Sequence, residues 1–473
     1  MKFLTTALLF LIPTSPTYAT LSRPFNLRLP WKPSVIVYPK NYDQTSRTVK
    51  CGNSANVKMS VRGGGHSYGA FGLGGENGRL VIDVERFQSV VYNSSNQRAQ
   101  VGAGLRLGNM AAKLASYGRA LPHGTCAGVG LAGHALHGGF GYTSRNWGLT
   151  VDNIIELKGI KADGSTFIAN ESTNPDLFWA LRGAGSSFAI VLEFKLKTYP
   201  APASTVNFSY GIEMGAINAD KATQLYLAWQ EFGKTAPKEL GIQMYVEPWW
   251  MSIGGNYYGS RADFDRIIKP LVDKTTAIYG RAPLTTVSSL GWLATLESLS
   301  GGPIARPTSG FSEFDTFYAK SLVVPTADAL KQVAVRSLFD YIFTNRDKEP
   351  SGYYFIANLY GGPGSLINAV SSTATAYFDR DAFIVFQFYG FAANNSPPFN
   401  AQTIPFINNL SKAITDKQAR VGGGVWPAYA NYIDPELTYQ EAGQKYFGGN
   451  LARLRQLKTV WDPQNRLGGG IGV

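Results

Sequence analysis

Four histidines and two cysteines occur in 473 residues, and all the histidines and one cysteine fall between positions 66 and 137. His66 closes the glycine run Arg62-Gly63-Gly64-Gly65-His66-Ser67-Tyr68-Gly69. Cys126 ends His123-Gly124-Thr125-Cys126 and is followed by Gly128-Val129-Gly130, with His134 and His137 just beyond. Each nucleophile adjoins backbone that glycine leaves bare for close ligand approach. A neutral imidazole nitrogen and a thiolate both add to electrophilic carbon, so the pair suggests a large cofactor held by covalent bonds. Positive potential nearby would favour the thiolate of Cys126. A glycine run leaving a strand also lets backbone amides close around a diphosphate.

Three other readings compete. His66, His123, Cys126, His134 and His137 carry enough nitrogen and sulfur ligands for zinc, and His134/His137 are spaced i, i+3. Their surroundings are glycines and small apolar residues, with no Asp or Glu near in sequence, so no metal is expected. A Cys–His acyl-transfer pair would need a third residue to orient the histidine, and none stands out. The plainest reading is glycine-rich turns with incidental histidines, which the joint appearance of two such motifs argues against.

The length suggests two domains or one large split domain. Hydrophobic content of 44% and charged content of 16% describe a globular chain. Lys and Arg number 44 against 32 acidic residues, a net charge of +12, but no dense basic run concentrates it, so a nucleic-acid surface is not expected. Residues 1–19 combine Lys2, a short apolar run and Thr17-Tyr18-Ala19, the pattern of a secretory signal removed after Ala19. No other stretch is long and apolar enough to span a bilayer. Sequons at Asn93, Asn170, Asn207, Asn394 and Asn409 fit a secreted glycoprotein. If Cys126 is bonded to a cofactor, Cys51 is left without a partner.

These residues need elements to hold them. Ser34–Pro39 and Val57–Val61 read as strands, the second feeding the glycine run, with a segment between them that is short and polar for a helix. Further strands are expected at 80–84, 99–103, 154–157, 166–169 and 189–194, and helices at 107–117 and 175–182. Tyr199-Pro200-Ala201-Pro202 marks a boundary. Beyond it, helical stretches (219–233, 325–344, 401–417) alternate with aromatic-rich strands (242–247, 352–360, 383–390), which predicts an antiparallel sheet with helices on one face. A last helix is expected near 445–459.

The glycine–histidine motif, His123-Gly124-Thr125-Cys126 and Asp176–Gly185 resemble the PCMH-type FAD-binding domain of the vanillyl-alcohol-oxidase superfamily. Tyr429-Ala430-Asn431-Tyr432-Ile433-Asp434 and Asp462-Pro463-Gln464-Asn465 resemble the berberine-bridge-enzyme tail, and the spelling around Cys126 is similar to fungal glucooligosaccharide and chitooligosaccharide oxidases. The resemblance implies an α+β, two-domain fold: an FAD-binding domain over 30–200, a substrate domain over 203–425 on an antiparallel sheet backed by helices, and a segment 426–473 returning to the first domain. It implies bicovalent FAD, with His66 on the 8-alpha methyl and Cys126 on ring carbon 6. That double tether raises the flavin's oxidising power and leaves the mouth of the site open. Gly63, Gly64, Gly65 and Ser67 would cradle the diphosphate; Thr125, Gly128, Gly130 and Gly133 would line the other wall; Ile190 or Val191 would meet the adenosine part. Tyr432 matches the general base, and Tyr68, Gln387 and Tyr429 are candidate substrate contacts.

The implied activity is an oxidase of alcohol or hemiacetal carbons that passes electrons to dioxygen and acts as a monomer. The chain departs from the pattern in places. The lead-in before Val35 is short and lacks the cysteine that would pair with Cys51, so either Cys51 is a free thiol or the start is misassigned. The last six residues lack the family's aromatic-proline close. The oligosaccharide oxidases place glutamine and aspartate where Ile356 and Asn358 fall. A sugar substrate therefore stands beside a fungal secondary metabolite as a reading, with a non-catalytic flavin-fold binding protein as a third.

Overall fold

The glycine run leaves a parallel βαβ unit whose strands Val35–Tyr38, Leu80–Asp83 and Met59–Arg62 lie side by side in that order. This computed structural model describes residues 8–308, 310, 313–349, 351–468 and 471–473. The polar segment after the first strand is a 13-residue helix, Tyr42–Ser54. The Asn41 side chain caps it by accepting the Gln44 N–H at 2.9 Å. Its buried residues are Gln44, Thr45, Thr48, Val49 and Gly52, polar or small at helical spacing, so the segment reads as polar for a helix.

At the end of Met59–Arg62 the buried Arg62 guanidinium binds Asp83, the Leu21 carbonyl (2.6 Å) and the Tyr38 hydroxyl (2.9 Å). That fixes the strand end from which the glycines depart. The next sheet is antiparallel, in the order Val90–Asn93, Arg98–Gly102, Ala189–Lys197, Ile154–Lys161, Thr166–Ala169. One apolar core joins these two sheets to the carboxy-terminal residues Tyr429, Ile433, Tyr446, Leu454 and Val473.

The third sheet has seven antiparallel strands in the order Leu284–Leu290, Thr205–Glu213, Trp250–Tyr257, Leu240–Glu247, Gly352–Leu359, Ala382–Phe391, Phe317–Pro325. Its strands split by period two. Ile242, Met244, Val246, Phe355, Ala357 and Phe386 enter a second core shared with helices Ala219–Gly233, Arg261–Tyr279, Gln332–Asn345 and Thr403–Thr415. Their neighbours Gln243, Tyr245, Tyr354, Ile356, Asn358 and Gln387 face the opposite way, into the cavity described below.

Some expected elements differ. The helix read from 325 starts at Gln332, because Pro325 still closes a strand and a short 3-10 turn intervenes. The last helix is two, Tyr439–Phe447 and Leu451–Trp461, separated at Gly448-Gly449, where glycine is a poor helix former. Of the expected leader, residues 1–7 lie outside those described. Leu9–Leu11 adds as an antiparallel edge strand to Val35–Tyr38, and the Tyr18 hydroxyl donates to the Pro33 carbonyl at 2.5 Å.

Two buried arginines tie the segments together. Arg145, wholly buried, donates to the carbonyls of Ala236 (2.8 Å), Pro237 (2.8 Å), Leu240 (2.5 Å) and Gly361 (2.9 Å). Arg380 forks onto both oxygens of Asp152 at 2.9 and 2.7 Å.

Candidate active site

Between the two glycine loops and the uncovered face of the seven-stranded sheet lies a cavity of about 680 Å³. It is in the range of sites that enclose a cofactor or small molecule. Gly63, Gly64, Gly65, His66 and Ser67 line it from one loop; Thr125, Cys126, Gly130 and Gly133 line it from the other. Val191, Tyr68, Gln387, Tyr429 and Tyr432 also reach it. Of Ile190 or Val191, expected at the adenosine part, Val191 reaches the cavity and Ile190 does not, nor does the expected wall residue Gly128. Ile190, completely buried, sits beside Val191 on a strand where neighbours point to opposite faces. Gly128 instead abuts the Glu313 carboxylate.

Arg106 clamps the two loops. Its guanidinium donates to the Gly64 carbonyl (2.8 Å), the Gly128 carbonyl (2.6 Å) and the Gly310 carbonyl (2.8 Å). At Gly133 nothing stands within 4 Å of where a Cβ would be, so a side chain there would project into the cavity.

The His66 ring stacks on Phe25 with centroids 3.8 Å apart, and its Nε2 lies 3.6 Å from Glu313 Oε2. Cys126 opens onto the cavity but is otherwise enclosed by protein. Burial pushes its thiol up, the Thr125 hydroxyl pulls it down, and Glu313 and Arg306 act in opposite directions. The expected positive potential is therefore not what governs this thiol: desolvation outweighs it.

The other histidines hold backbone. His134 Nε2 accepts the Gly124 N–H at 3.0 Å, and burial depresses the ring to about 3, so it is a neutral acceptor. His137 Nδ1 must donate to the Gly133 carbonyl (2.8 Å), which leaves its Nε2 to accept from the Ser186 hydroxyl (3.0 Å). His123 Nδ1 likewise faces the Gly124 carbonyl at 2.7 Å. Among the described residues, no three His, Cys, Asp or Glu side chains are grouped to hold a metal.

Tyr432 lies on an irregular segment, its ring parallel to Tyr68 at 6.1 Å and edge-on to Tyr429 at 5.1 Å. Burial, then the neighbouring Tyr68 and Tyr429 phenols, push its hydroxyl well above the ordinary phenol range. The Tyr68 hydroxyl accepts from Gln387 Nε2 at 2.8 Å. Tyr429 is committed to the fold: its hydroxyl accepts the N–H groups of Gly139 and Phe140, both at 3.0 Å. Phe25, Arg106 and Glu313 were not read from the sequence, since each lies outside any motif and arrives by tertiary folding. Gln243 and Tyr245 carried a legible signal, the polar phase of a period-2 strand.

A histidine and a thiol on facing glycine loops, roofed by an antiparallel sheet, define a flavin-linked oxidoreductase. Residues 33–170 match the family described as FAD binding domain, and 428–467 match that described as berberine and berberine like. The chain belongs to this family of FAD-linked oxidoreductases, and FAD is its cofactor. It is 34% identical over 444 residues to a chitooligosaccharide oxidase of Gibberella zeae, covering 93% of this chain and 87% of that one. It is 35% identical over 475 residues to a carbohydrate oxidase of Microdochium nivale, covering 96% and 90%. A solved structure of the glucooligosaccharide oxidase from Acremonium strictum, described with a 6-S-cysteinyl, 8-alpha-N1-histidyl FAD, superposes with a TM-score of 0.90 at 31% identity, covering 98% and 96%. Among the described residues no helix is long and apolar enough to cross a membrane.

Proposed function

We propose that this chain is a secreted oxidase of alcohol or hemiacetal carbons, with FAD bonded to both His66 and Cys126 and an oligosaccharide as substrate. The observation that carries this reading is that His66, Cys126 and Tyr432 line one cavity. FAD held there would supply the hydride acceptor, with dioxygen as the final oxidant and hydrogen peroxide as its product. The chain's own part is to position and to move a proton. Gly63–Gly65 and Ser67 hold the diphosphate with backbone and hydroxyl donors, while Gly133 keeps the facing wall flat and Gly130 lets the two loops meet. Tyr432 takes the proton of the substrate hydroxyl as its C–H bond breaks. Tyr68, fixed by Gln387, stacks beside it and helps shape the pocket. Support for a sugar comes from the named carbohydrate relatives and from Gln243, Asn358 and Gln387 on the sheet face.

One observation favours a second reading. Ile356 faces the cavity between Tyr354 and Asn358, so this wall offers an apolar side chain and an amide rather than a carboxylate. That suits a less polar alcohol, such as a fungal secondary metabolite. Export rests on the residue pattern of 1–19, and sequons Asn93, Asn394 and Asn409 are exposed for glycosylation. The deciding experiment measures peroxide release from oligosaccharides and from aromatic or polyketide alcohols, on protein whose flavin survives acid precipitation. Flavin released by acid would overturn the double attachment. Turnover of the second panel alone would overturn the sugar assignment.

A further inference from the structure

We infer that Glu313 is the positioning residue that prepares His66 for bonding to the flavin, an inference that rests on the covalent reading above. Two features converge on its carboxylate, and a third holds the imidazole it faces. One oxygen, Oε2, lies 3.6 Å from His66 Nε2, while the other, Oε1, receives the Arg306 Nε–H. Phe25 stacks on the imidazole at 3.8 Å with 26° between the planes, which holds the ring in one orientation. Gly128 leaves the space the carboxylate needs: a Cβ at 128 would lie 2.1 Å from Glu313 Oε2. The facing imidazole and then, against partial burial, the Arg306 contact hold the Glu313 carboxyl down at about 2, so it is an anion throughout the neutral range.

An anion facing Nε2 selects the tautomer with its proton there, which puts the lone pair on Nδ1. Nδ1 is then the nitrogen that bonds to the 8-alpha carbon. In that step a C–N bond forms and one methyl C–H bond breaks. The two electrons of that bond enter the isoalloxazine and pass on to dioxygen, which becomes hydrogen peroxide with two protons. Those protons are the one lost from the methyl group and the one lost from Nε2. Glu313 fixes the tautomer and stabilises the positive imidazole as the bond forms; the Nε2 proton then passes to water. A Lys or Arg partner at that place would oppose both.

The test uses the full chain with Cys126→Ser, so that only the histidine bond can retain flavin. Protein produced without flavin is mixed with FAD in air, and flavin resisting acid precipitation is followed with time by intact mass. The Cys126→Ser chain is expected to become covalently labelled; if it does not, His66 is not the attachment point and the underlying reading falls. With that label present, adding Glu313→Gln is expected to slow attachment at least tenfold while non-covalent FAD is still bound. Equal rates with and without Glu313→Gln overturn the inference. If the Gln variant binds no FAD, Glu313→Ala is assayed with added formate. Attachment accelerated by formate supports the carboxylate's role, and attachment indifferent to formate overturns it.

Discussion

Gly64 and Gly130 meet backbone to backbone: a Cβ built on Gly64 would lie 2.3 Å from the Gly130 nitrogen, and one built on Gly130 would lie 2.2 Å from the Gly64 nitrogen. The neighbour in each case is main chain, which cannot rotate aside as a side chain can. Gly130→Ala must therefore part the two loops that Arg106 clamps. The expected cost is at least about 1–3 kcal/mol of overpacking. The variant should show a lower Tm and a reduced flavin-to-protein absorbance ratio. Unchanged values of both would mean that the loops are not in contact.

His134 ties the His123–Cys126 loop through a neutral ring. Burial holds it at about 3, whereas an unfolded histidine titrates near ~6.5. Since the folded value is the lower one, the stabilisation is present above the unfolded value and is lost as pH falls from there towards 3. The loss is worth roughly 1.4 kcal/mol per pH unit across that window. His134→Gln keeps an acceptor for the Gly124 N–H but cannot ionise. Its Tm is expected to be lower than that of the parent at pH 8 and to decline less steeply between pH 6.5 and 4. A parallel decline in both proteins would rule out His134 as a source of the acid sensitivity.

Arg145 is the bolt between the amino-terminal half and the seven-stranded sheet. Replacing it with methionine keeps much of the volume but strands four carbonyls away from water. Leaving that many buried acceptors unpaired is expected to cost at least about 3 kcal/mol. Lysine restores a charge but not the planar fork, so Arg145→Lys should recover only part of the loss. Urea unfolding followed by tryptophan fluorescence measures both. A midpoint shift under 0.5 M for Arg145→Met, on the order of 1 kcal/mol or less at a typical urea slope, would remove the structural role.

How much of this was readable in the chain follows from where each signal is stored. His66, Cys126 and the glycine loops are local in sequence, so their chemistry was legible, and the alternation of helical stretches with aromatic strands predicted a sheet backed by helices on one face. The helix Tyr42–Ser54 was weakly legible because its buried face uses threonine and glycine where larger apolar residues are the usual mark. Glu313 was not legible at all, because it is 247 residues from His66 and nothing local distinguishes it. At Cys126 burial pushes the thiol up more than Arg306 pulls it down, and desolvation, unlike charge, depends on what folds around the thiol and is not visible in a sequence.

Tyr432 is the residue on which turnover is expected to depend. Tyr432→Phe removes the proton acceptor but leaves the ring stacked against Tyr68, so the fold and flavin attachment should persist. General-base removal is worth typically ~100- to 10,000-fold, and that loss should appear in substrate-driven flavin reduction followed by stopped-flow absorbance. The pH dependence has a definite sign. The active form is the deprotonated one, and burial raises the hydroxyl well above the ordinary phenol range, so its fraction at neutral pH is small and grows with pH. Reduction rates for the parent should climb from pH 6 to 9 without levelling, while those of Tyr432→Phe stay flat. A plateau in the parent that begins below pH 7 would assign the proton to a different acceptor, and an unslowed Phe variant would remove Tyr432 from the chemistry altogether.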